Sequence, residues 1–149
     1  MIDEILKKKK LIEEKIPDFK QIQNHLKRAI KDIRTAKATL EIDAEWTYTI
    51  CYQAMLRAAK ALMFVKGYRP KGKDQHKTVI QFAKDFLGEE FKTLIGKFDR
   101  MRRKRHDFIY EPDQPISEYE AQKALEDAEK FIKKIIEITQ LQNPQIILI

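Results

Sequence analysis

The chain has 149 residues, 36% of them charged and 43% hydrophobic, which suits one compact domain and leaves too little material for two. Four glycines and five prolines argue against a turn-rich β-sandwich, and the single cysteine, Cys51, excludes an internal disulfide and a Cys-rich zinc site. Thirty Lys and Arg against 23 Asp and Glu give a net charge of +7, a balance that favours a polyanionic partner.

The N-terminal segment reads as a short helix over residues 2–15, with Ile2, Ile5, Leu6 and Ile12 on its apolar side and Lys7 to Lys10 as a solvated face. No stretch approaches the roughly 18 apolar residues of a membrane span, and MIDEILKKKK has no signal-peptide core. A cytoplasmic protein without a membrane partner is therefore expected. Pro17 breaks the chain before a strongly periodic helix carrying Phe19, Ile22, Leu26, Ile30, Ile33, Ala36 and Leu40 on one face.

Asp43 is placed to cap the next helix, which runs through WTYTICYQAMLRAAKALMFVKGY to a stop at Gly67. Tyr48, Cys51, Tyr52, Met55, Ala58, Ala59 and Leu62 form one apolar stripe, and Ile50, Ala54, Ala61 and Val65 form a second. This is the expected central helix. Its apolar surface exceeds what a small bundle easily covers, and on that ground a homodimer is predicted.

Residues 69–75, RPKGKDQ, read as a loop carrying Arg69, Lys71 and Lys73. A short helix over about 76–87 turns Val79, Ile80, Phe82, Ala83 and Phe86 inward and ends at Gly88. A longer one follows over about 89–109 and stops before Pro112. Ser117 with Glu120 is a capping-box pattern opening the last helix, whose buried face holds Ala121, Ala124, Leu125, Ala128, Phe131, Ile132, Ile135 and Ile138. The apolar tail, 145–149, is compatible with packing on the body, pairing with another chain or disorder. There is no fixed-period repeat. The expectation is a single all-α domain over 1–149: an antiparallel up-and-down helical bundle of about five helices with its core over about 18–140.

RMRRKRH, from Arg100 to His106, is the densest positive cluster. On a helical wheel Phe91, Leu94, Ile95, Phe98, Met101, Phe108 and Ile109 define the apolar face. Arg105 falls near its middle and Arg102 at its edge; His106 lies further round beside Tyr110, and Arg100, Arg103 and Lys104 point to solvent. An inward guanidinium needs an anion or carbonyl partner. Asp43 and Glu45 are the structural candidates, and a phosphate is the functional one, for which the guanidinium fork is well shaped. On the second reading Arg105, His106 and Tyr110 converge, with Arg102 and Lys73 adding positive charge.

His76 follows the loop and could approach a ligand, but as the first residue of a helix it reads as a capping or surface histidine, and His25 reads as exposed. Trp46, Tyr48 and Tyr52 could stack on a base but suit core or dimer packing. Three scattered histidines give no metal motif, and no phosphate-binding glycine loop or serine nucleophile is present, so neither metal nor cofactor is expected.

Two stretches resemble the HEPN family of small helical proteins. DAEWTYTICYQAMLRAAKALMFVKGYRPKGKDQHKTVIQF is similar to the Ala-rich central helix, Gly turn and following His of prokaryotic members. RMRRKRHDFIYEP resembles the family signature: an Arg, a polar residue, several further residues and a His. Arg105 matches the Arg and His106 the polar position, while Tyr110 stands where the closing His belongs. Arg100 with His106 satisfies the spacing in a second register, with Arg100 on the solvent side.

The resemblance covers about residues 18–140. It implies a nucleotide- or RNA-binding protein that partners a nucleotidyltransferase in a toxin–antitoxin-like module. Nuclease members imply an alternative, a metal-independent endoribonuclease toxin in which Arg105 stabilises phosphoryl charge at a dimer interface and His106 moves the proton. Tyr110, with an ordinary pKa near 10, is a poor base for that step. A third reading is a non-catalytic adaptor in which Arg105 only pairs with a carboxylate.

Overall fold

The computed structural model describes residues 2–110 and 115–146, with the backbone alone described at 2, 3, 8 and 106–110. Six α-helices are present among these residues: α1 (Ile2–Lys8), α2 (Phe19–Thr39), α3 (Ala44–Val65), α4 (Gln75–Leu87), α5 (Lys92–Tyr110) and α6 (Glu118–Gln142). A 3-10 turn over Glu89–Phe91 leads into α5, and two short strands, β1 (Ile12–Glu14) and β2 (Tyr68–Pro70), form an antiparallel ribbon. The fold is the all-α bundle expected, with one more helix and this small ribbon. No helix among the described residues is long and apolar enough to cross a membrane.

The helix boundaries follow local chemistry. Asp18 caps α2 by accepting from the N–H groups of Lys20 and Gln21, Asp43 caps α3 through Trp46 N–H, and the Ser117 hydroxyl accepts from Glu120 N–H at the start of α6. Each cap satisfies donors that the first helical turn leaves open.

α3 is buried almost all round. It packs against α2 and α6 most extensively and against α4 and α5 at its remaining sides. Both of its apolar stripes are covered, with only Ile50 of the two half-buried. The apolar excess that predicted a second copy is therefore satisfied inside one chain, and that argument for a homodimer falls. Ala54, Ala58, Ala59 and Ala61, all fully buried, let neighbouring helices approach closely. Asp32 on α2 accepts from Arg28 of the same helix at 3.2 Å and, across the interface, from Arg57 of α3 at 2.9 Å. Thr47 donates to the Ala36 carbonyl across the same interface at 2.9 Å.

The N-terminal helix expected over 2–15 is corrected to Ile2–Lys8. Lys10 takes a left-handed backbone, φ +57°, and the chain then pairs in register Ile12 to Pro70, Glu13 to Arg69 and Glu14 to Tyr68. Lys71 N–H donates to Leu11 and Lys15 N–H to Gly67, extending the ladder at both ends, and Arg69 and Lys71 pair with Glu13. The loop expected over 69–75 thus begins as β2. Gly67, at φ +87°, makes the turn from α3 into it, a conformation that disfavours any side chain.

Two further expectations change. Phe86 is 43% exposed and stacks on Phe82 with Lys66 above it, rather than pointing into the core. His25 is half-buried against Phe64, ring centroids 5.4 Å apart, rather than exposed. At the end of α6 the tail folds back: Ile146 is buried and its carbonyl accepts from Gln140. Residues 147–149 of the expected tail lie outside the described residues.

Phe98 ties three helices together, fully buried between Tyr52 of α3 and Phe131 of α6 at centroid distances of 5.6 and 5.5 Å. Phe98→Ala is expected to cost about 3–5 kcal/mol in denaturant unfolding. Asp18→Ala, which removes only a cap, should cost about 1 kcal/mol.

Candidate functional site

Three elements meet at one end of the bundle. α3 contributes Tyr52, fully buried on the stripe that faces α4 and α5. α4 begins there with Asp74, Gln75, His76 and Lys77, and the C-terminal half of α5 brings Arg102, Arg103 and Arg105. Apart from Tyr52, these residues line a cleft of about 610 Å³.

The start of α4 differs from the capped helices. Asp74 adopts a left-handed backbone, φ +54° and ψ +44°, and its carboxylate makes no capping hydrogen bond. The first N–H groups of α4 are thus left without a side-chain cap beside the arginines.

Arg105 has the polar position on the apolar face that the wheel assigned to it. Its guanidinium carbon lies 5.0 Å from the centre of the Tyr52 ring, a cation–π arrangement. Its Nε is buried with no hydrogen-bond partner. No ion pair among the described residues joins it to Asp43 or Glu45, and the Asp43 carboxylate caps α3 instead. A buried donor without a partner costs about 1–3 kcal/mol, more when charged, and here it adjoins an open cleft.

The other cations are partly neutralised. Asp99 accepts from Arg102 Nε at 3.1 Å and pairs with Arg103 at 3.7 Å, one carboxylate for two guanidiniums. Asp74 is the carboxylate among the lining residues. Four cationic side chains, Lys77, Arg102, Arg103 and Arg105, surround the same space.

Behind Arg105, the Tyr52 hydroxyl and His76 Nδ1 are 3.0 Å apart and share a hydrogen bond. Burial pushes the Tyr52 phenol up to about 12 despite the opposing field of Arg105 and Arg102, so it keeps its proton. Burial also lowers His76 below its ordinary 6.5, with Lys60, Arg105 and Arg102 acting in the same direction. The half-buried imidazole is thereby held mostly neutral around pH 7.

The predicted site residues are placed as follows. Arg102 and Arg105 both line the cleft. Lys73 is exposed and does not line it; Lys77, one helical turn further on, does. The side chains of His106 and Tyr110 lie outside the described residues, and only their backbone, on the last turns of α5, is given. Arg100, the second register, is exposed on another side of α5 and lines a separate cleft of about 410 Å³ with Tyr48, Lys104 and Glu120. The two registers thus serve different surfaces. Trp46 is 56% exposed and lines neither cleft, while Tyr48 and Tyr52 are buried, as core packing requires.

The sequence reads His76 chiefly as a capping or surface residue, and the structure half-buries it against Tyr52. The signal was available in part, since a His just inside a helix start sits among open N–H groups. What was not legible is that Tyr52, 24 residues earlier, reaches its ring.

A family model for the HEPN domain matches residues 22–139, spanning α2 to α6. The chain belongs to the HEPN domain family. The matched span takes in the cleft and its arginines, and excludes α1 and β1. No curated protein matches the chain.

In this HEPN domain His76 is expected to titrate below 6.5 when followed by imidazole proton resonances over a pH series. Arg105→Gln removes one of the cations that depress it and should move its midpoint upward. An unchanged midpoint would mean that the Arg105 charge does not act on His76.

Proposed function

We propose that this HEPN protein binds RNA or a nucleotide, holding a phosphate group in the cleft between the start of α4 and the C-terminal half of α5. One observation carries the reading: the buried Nε of Arg105 has no hydrogen-bond partner among the described residues and borders a cleft ringed by cations. A guanidinium donates through several N–H groups, and a phosphate is an acceptor that satisfies it with both charge and geometry. The uncapped start of α4 adds N–H donors of the same polarity. Membership of the HEPN family supports a nucleotide- or RNA-related role, and the net charge of +7 favours encounter with a polyanion. The partnership with a nucleotidyltransferase and the toxin–antitoxin context rest on family resemblance alone.

The endoribonuclease reading is favoured by one separate feature, an imidazole close to the inward arginine, although it comes from α4 rather than from the signature. Incubation with a mixed RNA panel in EDTA separates the two readings, since binding without cleavage leaves the first alone.

Binding of a short single-stranded RNA should weaken steeply with salt, as contacts to phosphates release counterions. Arg105→Ala is expected to reduce affinity about tenfold or more, the loss of a charge-assisted contact worth about 1.5–3 kcal/mol. Arg100→Ala, in the other cleft, should cost less than about twofold. Equal losses measured by fluorescence anisotropy would overturn the placement of the phosphate beside Arg105.

A further inference from the structure

Tyr52 and His76 have no role in the signature at Arg105, yet they form the inner wall of the same region. Tyr52 is fully buried, with its ring faced by the Arg105 guanidinium at 5.0 Å and its edge against Phe98 at 5.6 Å. Its hydroxyl meets His76 Nδ1 at 3.0 Å. A half-buried imidazole fixed through Nδ1 retains Nε2, which has no hydrogen-bond partner among the described residues, and His76 lines the cleft. Metal ligands and catalytic histidines are oriented in the same way, by a hydrogen bond to the nitrogen that does not do the work.

We propose that His76, oriented by Tyr52, is the imidazole of the cleft: its Nε2–H donates to a bound phosphodiester, and the ring takes up a proton as the anion arrives. The inference rests on the phosphate reading above and adds to it the residue that makes binding pH-dependent. It balances simply. In the neutral ring the Tyr52 hydroxyl donates to Nδ1 and the ring proton sits on Nε2. When a proton from solvent adds at Nδ1, the Tyr52 hydroxyl rotates its own proton off that line and Nδ1–H donates to the Tyr52 oxygen, so the contact between the two residues persists in both states and the ring does not turn.

The groups facing His76 set the direction. Lys60 from α3 and Arg102 and Arg105 from α5 act on it as cations, and Asp74 and Lys77 flank it on α4. Asp99 is engaged by Arg102 and Arg103. Without ligand, this field and partial burial disfavour the imidazolium. A phosphate among these cations reverses the local field, so the bound state holds the proton more tightly than the free state. By linkage, affinity must then rise as pH falls through the titration range of His76.

The test uses the full chain and an oligouridylate with hydroxyl ends, whose diester groups do not titrate in this range. Calorimetric titrations from about pH 5.5 to 8, in buffers of different ionisation enthalpy, report affinity and protons taken up together. Wild type is expected to bind about tenfold more tightly at the acid end, the gain from a pKa raised by about one unit on binding. Proton uptake should be greatest between the free and bound midpoints of His76 and vanish well above both. His76→Gln should bind with the uptake abolished, whereas His25→Gln, altered at a ring packed on Phe64, should keep it. Tyr52→Phe removes only the hydroxyl and should weaken binding at the acid end about threefold, with the smaller loss expected of one net hydrogen bond.

Undiminished proton uptake in His76→Gln, or its loss in His106→Gln alone, would overturn the role of His76 while leaving phosphate binding intact. A Tyr52→Phe protein identical to wild type in both readouts would overturn the part played by Tyr52. Absence of binding by wild type at every pH would remove the phosphate reading itself.

Discussion

The constraint on which the rest depends is the burial of α3 on all sides. A helix with two apolar stripes cannot leave either in water without losing about 25 cal/mol for each Å² of apolar surface exposed. In this chain α2 and α6 cover most of it and α4 and α5 close the remainder. The alanines on α3 make the enclosure possible, because they let four neighbours approach one axis. The larger residues, Tyr52, Met55, Leu62 and Met63, fill the space between them.

That enclosure also creates the cleft. Tyr52 sits where α3 is covered by α4 and α5, so its hydroxyl is carried to the first turn of α4 and its ring face to α5. Arg105 completes the cover of that ring with a guanidinium in place of an apolar side chain. The substitution is costly in a pure packing sense, since it buries a donor without a partner. Asp99 holds Arg102 and Arg103 by single contacts and reaches no further. The result is a local surplus of positive charge beside an uncapped helix start, on a scaffold fixed by fully buried aromatic contacts.

Much of this could be read from residues alone. The spacing of Phe19 to Leu40 and of Ala121 to Ile138 marked α2 and α6, Asp43 and Ser117 marked two caps, and the wheel put Arg105 inward and Arg100 outward. These signals are local and depend on the helical period. The failures were non-local. Ile12 to Glu14 fitted a helical continuation, and they became a strand because Tyr68 to Pro70 lies alongside across more than fifty residues. Lys73 and Lys77 are equally basic in sequence, and only the direction of α4 decides which of them reaches the cleft. The apolar excess of α3 looked like an interface because its own neighbours could not be counted from its composition.

By itself, then, the sequence determined the helical class, most helix boundaries, the family and the inward arginine. The class, the boundaries and the inward arginine follow from side-chain chemistry repeated at 3.6 residues per turn or from a cap a few residues away, and the family from the resemblance of two motifs. Only the tertiary structure decided that Arg105 Nε is buried without a partner among the described residues, that His76 and Tyr52 stand beside it, and that the two arginine registers open onto different clefts. The physical reason is that a hydrogen bond or a buried charge depends on which helix faces which. Packing around α3 sets that arrangement, and no pattern within a single helix contains it.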